Sequence, residues 1–168
     1  EPIQEHIKTN TICIIPHGEL HYIPFSALTD GDSYLLENYI TYYLPSANTL
    51  RFISSNNQEF KNILALGNPK SSLPPLPFAE QEVDTIASIF PGLAESLIRE
   101  KATETIVREN AENMDVLHLA AHVEYNQSNS LFSAIYLAPD AFNDGRLEVH
   151  EIYTLNLTKT TDLVVLSG

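Results

Sequence analysis

Three short runs constrain this chain more than anything else in it. Ile63-Leu64-Ala65-Leu66, Val116-Leu117-His118-Leu119-Ala120-Ala121 and Leu163-Val164-Val165-Leu166 are apolar at almost every position. A strand with one wet face alternates apolar and polar residues. A strand buried on both faces reads instead as a continuous apolar run, the mark of a parallel sheet covered by helices. Helical patterns lie between these runs. Val83, Ile86, Ala87 and Phe90 follow Phe78-Ala79-Glu80 at i, i+3, i+4 and i+7, which puts them on one stripe. Thr103 is placed to cap a helix through Ile106 and Val107 to Ala111. Glu95 to Ile98 and Ser133 to Leu137 read as shorter strands, Gly145 to Leu147 as a turn and short strand, and Val149 to Thr154 as a short helix. Strands alternating with helices from residue 62 onward predict βαβ units around a mainly parallel sheet, an α/β fold.

The first sixty residues read differently. Thr11-Ile12-Cys13-Ile14-Ile15 is a β-branched run stopped by Pro16, and His17-Gly18-Glu19 supplies a turn before Leu20-His21-Tyr22-Ile23, which predicts a β-hairpin. Tyr39 to Leu44 is a further strand, after which Ser46 caps a helix carrying Leu50 and Ile53. Tyr22, Phe25, Tyr42 and Tyr43 are expected in the core or half-buried in strands. The chain is thus expected to be one domain, with a hairpin region over 1–61 and an α/β body over 62–168.

The totals narrow the function. With 43% hydrophobic and 18% charged residues the composition is that of a globular domain. A formal charge of −13 argues against nucleic acid or an anionic membrane as partner, because phosphate binding needs concentrated Lys and Arg. No apolar run is long enough to span a bilayer. The single cysteine, Cys13, cannot form an internal disulfide, and no secretory leader opens the chain, so a reducing, cytoplasmic setting is expected. The chain begins at Glu1 without methionine and stops on a strand, as if cut from a longer polypeptide.

His118 and His122 are the histidines to weigh. Their spacing of four would suit two zinc ligands on a helix, but Leu119 stands where the helical zinc motif needs glutamate. In a strand the two rings lie on one face about 13 Å apart, too far to share an ion. No metal is therefore expected. His118 reads as a packed, hydrogen-bonded core histidine. His122 falls where the strand surfaces, before the polar run Glu124 to Ser130, and in open α/β sheets chemistry collects at the carboxyl ends of strands. Cys13, among isoleucines, reads as a small buried hydrophobe, since a reactive thiol wants exposure and nearby positive charge. The loop Gly67-Asn68-Pro69-Lys70-Ser71-Ser72 is a weak phosphate-loop candidate: it lacks a second glycine before the lysine and opens onto proline. Leu73-Pro74-Pro75-Leu76-Pro77 reads as a stiff connector.

Taken in order, these segments resemble the CHAT domain, a caspase-like module often attached to tetratricopeptide repeats. The resemblance is carried by Ile14 to Leu28 with Leu20-His21-Tyr22-Ile23-Pro24-Phe25, by Tyr34-Leu35-Leu36-Glu37 and by Tyr43-Leu44-Pro45-Ser46-Ala47. Leu66-Gly67-Asn68-Pro69, Leu76 to Val83, Ala102-Thr103-Glu104, Val116 to His122 and Asp162 to Gly168 continue it. The family implies a caspase-like three-layer fold, here without its C-terminal part. It also implies a cysteine endopeptidase of the caspase and separase type, acting on protein or peptide substrates without a cofactor. By the resemblance His122 is the histidine of a histidine and cysteine dyad. The cysteine would come directly after Gly168, so this chain by itself is expected to be inactive. The family's oxyanion donor, a backbone N–H, falls on Val123, where glycine is usual; Ala121 replaces a frequent threonine. Glycine reaches backbone conformations that valine adopts only under strain. The alternative implied is a catalytically inactive scaffold or regulatory protein-interaction module. A tetratricopeptide repeat domain upstream is the further partner implied. Substrate-binding residues are not assigned; Glu124 fits either a substrate pocket or a solvated loop.

Overall fold

The computed structural model describes residues 6–51, 53, 59–157 and 161–168. The chain forms two compact units, Glu1–Asn56 and Asn57–Gly168.

In the first unit, strand β1 (Thr11–Ile14) pairs in parallel with β2 (Ile40–Tyr43), with Cys13 opposite Tyr42. Parallel neighbours need a long crossover, and here it contains a 3₁₀ turn over Gly18–Tyr22, another over Phe25–Ala27 and the one-turn helix α1 (Leu35–Asn38). The expected hairpin is therefore absent. Pro16 ends β1, Gly18 takes a φ of 58°, and Leu20 and Ile23 donate to the carbonyls three residues back, at 3.2 Å each. Leu20 to Tyr22 thus spend their hydrogen bonds within a turn, and Tyr22 is exposed rather than in a core. The helix expected after Ser46 is a 3₁₀ turn over Ala47–Arg51; part of the expected helix lies outside the described residues. Cys13 is half-buried, and its hydrogen bond to Tyr42 raises the phenol's pKa.

The second unit is built on the parallel sheet the apolar runs predict. Its strands are β3 (Ile63–Pro69), β4 (Ala94–Arg99), β5 (Val116–Ala120) and, after three further short strands, β9 (Leu163–Ser167), in the order β4-β3-β5-β9. Helix α2 (Pro77–Ile89) connects β3 to β4 and α3 (Glu104–Asn110) connects β4 to β5. Both begin as their sequences require. Proline, with its fixed φ and no N–H to satisfy, is the first residue of α2, and Thr103 Oγ1 accepts from Ile106 N at 3.2 Å to cap α3.

The two helices bury opposite faces of the sheet. Leu64, Leu66, Leu117 and Leu119 pack with Val107 of α3, while Ala65 and Ala120 pack with Ala79 and Val83 of α2. Gly67 lets α2 come this close. A Cβ there would stand 2.5 Å from the Ala79 carbonyl oxygen and 2.7 Å from Val83 Cγ2. Strand β9 departs from expectation in one respect. Among the described residues it pairs with β5 alone, and Leu163, Val164 and Leu166 are exposed although the run reads as buried.

Beyond the end of β5 a small antiparallel sheet forms from β6 (Val123–Glu124), β7 (Ala134–Tyr136) and β8 (Arg146–Glu148), followed by the one-turn helix α4 (Val149–Ile152). Among the described residues no helix is long and apolar enough to cross a membrane.

Candidate functional site

Strand β5 ends at Ala120, which lies opposite Gly67 of β3 and opposite Ser167, the last residue of β9. One further rung forms as Ala121 N–H donates to the Ser167 carbonyl at 2.9 Å. His122 is the next residue and sits half-buried where the strand surfaces. Its Nε2 is 2.8 Å from the carbonyl oxygen of Pro74. A carbonyl only accepts, so Nε2 carries the proton and Nδ1 of the neutral ring holds the free lone pair.

The Pro74 carbonyl is held in place by its own loop. Asn68, with a φ of 47°, sits at the register shift in β3 between Gly67 and Pro69, and its Oδ1 accepts from Leu76 N at 2.6 Å. Asn68 Nδ2 donates to Glu80 Oε1 at 2.5 Å. Arg99, the other described non-glycine residue with positive φ, at 51°, clasps the same carboxylate through Nε at 2.7 Å and Nη2 at 2.9 Å. These bonds hold the Glu80 carboxyl below its usual pKa, Arg99 contributing most. The segment read as a stiff connector therefore also orients an imidazole. The weak phosphate-loop reading of the same segment gains nothing from the structure: Lys70 Nζ is 2.8 Å from Glu100 Oε1, and no helix opens until Pro77.

Val123 lies in extended β6 opposite Ile135 and is not among the residues with positive φ. The left-handed backbone that glycine would permit is not used here. Tyr136 N–H donates to the His122 carbonyl at 2.9 Å, which makes His122 and Tyr136 a hydrogen-bonded pair. In an antiparallel ladder the next pair, Val123 and Ile135, is then non-hydrogen-bonded, and the Val123 N–H points away from β7. Gly168 presses on this stretch. A Cβ on it would meet the Ala121 carbonyl oxygen at 2.6 Å and Val123 Cγ2 at 3.8 Å.

Glu124 is not a free carboxylate. Arg146 Nη1 approaches its Oε2 at 2.9 Å, and the Tyr136 hydroxyl donates to the same oxygen. The Arg146 guanidinium also lies 5.0 Å from the centre of the Tyr136 ring. Hydrogen bonds from Tyr136 and then Arg146 keep the Glu124 carboxyl below its usual pKa, and the Tyr136 phenol is correspondingly raised. Strand spacing alone does not reveal this cluster, because Arg146 arrives from β8.

His118 is the core histidine its context predicts: it is 8% exposed, with Nε2 2.8 Å from Glu82 Oε1. The two histidines thus have separate partners on the α2 side of the sheet. Among the described residues no three His, Cys, Asp or Glu side chains gather to hold a metal ion.

No curated protein matches this chain. The family model described as the CHAT domain matches residues 1–168, its whole length. The parallel sheet is consistent with this match, and the chain belongs to the CHAT domain family, a caspase-like, peptidase-related family.

Proposed function

We propose that the protein is a cysteine endopeptidase domain that cleaves protein substrates with a histidine and cysteine dyad, His122 supplying the imidazole. The observation that carries this reading is the 2.8 Å contact between His122 Nε2 and the Pro74 carbonyl, which leaves Nδ1 free to exchange a proton. The proposal puts the thiol on the residue directly after Gly168. Ala120, two residues before His122, pairs with Ser167, two residues before that position, and this register supports the reading.

These placements support a complete reaction. Nδ1 takes the thiol proton, and the thiolate attacks the scissile carbonyl carbon, whose oxygen becomes an oxyanion. The outward Val123 N–H is the donor proposed for that charge, a role any non-proline residue can fill. Collapse breaks the C–N bond, and the imidazolium returns its proton to the leaving amine. Water then hydrolyses the thioester and regenerates the thiol.

The test is cleavage of unfolded protein substrates by the full-length polypeptide and by its His122→Ala variant. Turnover by the wild type and none by the variant is expected. Equal turnover removes His122 from the mechanism. A residue other than cysteine after Gly168 sinks the peptidase reading and leaves the scaffold alternative.

A further inference from the structure

The proposed mechanism does not use a titratable cluster that lies at the base of the same site. Glu82, on the sheet-facing side of α2, spans two strands with one carboxylate. Its Oε1 lies 2.8 Å from Nε2 of the nearly buried His118 in β5, and its Oε2 accepts from Ser167 Oγ, in β9, at 3.2 Å. A carboxylate accepts only, so each oxygen takes one proton, from the ring N–H and from the hydroxyl. Glu82, Ser167 and Gly168 also line one open depression with Pro75, Pro77 and Phe78.

The ladder between β5 and β9 is the only sheet pairing β9 has among the described residues, and its last rung is the 2.9 Å bond from Ala121 N–H to the Ser167 carbonyl. The side chain of Ser167 is tied to α2 through Glu82, and the same carboxylate fixes His118 four residues before His122.

We infer that Glu82 is a positioning residue: through Ser167 and His118 it clamps the end of β9 against β5, so that the residue after Gly168 is presented to His122. Glu82 touches no reacting atom in this scheme. The inference rests on the peptidase reading for its catalytic consequence, but the clamp itself is a property of the strand end.

The experiment compares the full-length polypeptide with its Glu82→Gln, Ser167→Ala and Ser167→Thr forms by two readouts. The first is hydrogen exchange, detected by mass spectrometry, in the segment carrying the Ala121 amide, with the β3 segment as internal reference. The second is the separation of kcat from KM on a cleaved substrate. Glu82→Gln and Ser167→Ala should each speed exchange around Ala121 and lower kcat about tenfold, the effect of losing one charge-assisted bond. KM and β3 exchange should stay unchanged, and Ser167→Thr, which keeps the hydroxyl, should behave as wild type. Unchanged exchange around Ala121 in both Glu82→Gln and Ser167→Ala overturns the inference whatever the activity. Loss that spreads to β3 overturns it too, since that is general unfolding. Faster Ala121 exchange in a protein whose wild type cleaves nothing keeps the clamp and sinks the peptidase reading instead.

Discussion

His122 donates from Nε2 to the carbonyl oxygen of Pro74 at 2.8 Å, a bond between residues 48 positions apart in sequence. It fixes which ring nitrogen faces outward, and it makes the proline-rich loop part of the site. Nitrogen-15 spectra of the neutral His122 ring should accordingly show the Nε2–H tautomer. The opposite tautomer would mean that the Pro74 contact is not made in solution.

Val123 stands where the resemblance implies glycine, yet its backbone is ordinary extended strand. Val123→Gly should therefore relieve no strain. The expected outcome is a loss of about 1 kcal/mol of stability, glycine being the poorer strand former, with no gain in turnover. A higher melting temperature in this variant would show that the valine is strained after all.

Gly67 is held against α2 too closely for any side chain. In Gly67→Ala the new methyl would meet the Ala79 carbonyl and Val83 Cγ2, so helix or strand must shift. Overpacking of this kind costs about 1–3 kcal/mol, readable in chemical denaturation. A wild-type midpoint would place α2 farther from β3 than described.

Glu104 is 1% exposed, accepting from Gly145 N at 3.1 Å and from Arg108 Nη1 at 3.2 Å. Burial, aided by the nearby Glu151 charge, raises its pKa above 4.5. A carboxyl raised in the folded state holds its proton more tightly there, so its contribution is most favourable below the unfolded value. That advantage is lost as pH rises through the folded value. Glu104→Gln keeps an oxygen for Gly145 and removes the titration. Its melting temperature should improve relative to wild type as pH rises from about 4 to about 7. A constant difference across that range contradicts the assignment.

Glu80 should behave in the opposite sense. Arg99 and Asn68 lower its pKa from 4.5, so its contribution is present above the unfolded value and is lost as pH falls through the folded one. Glu80→Gln should melt below wild type at neutral pH, and the gap should close on acidification. A gap that persists in acid would mean the clasp acts through packing and not through charge.

Much of the body was legible from local pattern. The runs at 63–66 and 116–121 become strands buried between helices because apolar side chains on both faces have nowhere else to go. Proline at 77 and threonine at 103 mark helix starts because termini need a residue without a wasted N–H or one with a capping oxygen. The first unit was less legible. Its β-branched run and turn residues fit a hairpin as well as a parallel pair, and the choice depends on Ile40–Tyr43, far along the chain.

The sequence by itself determined the α/β character of the body, the placement of His122 at a strand end and the family, since each comes from local spacing or residue order. Only the tertiary structure decided what those residues do to one another. Which nitrogen of His122 is free, that Glu124 is neutralised by Arg146, and that Glu82 joins Ser167 to His118 depend on contacts between distant segments. Hydrogen bonds between side chains act over about 3 Å, and no sequence spacing encodes which segments come that close.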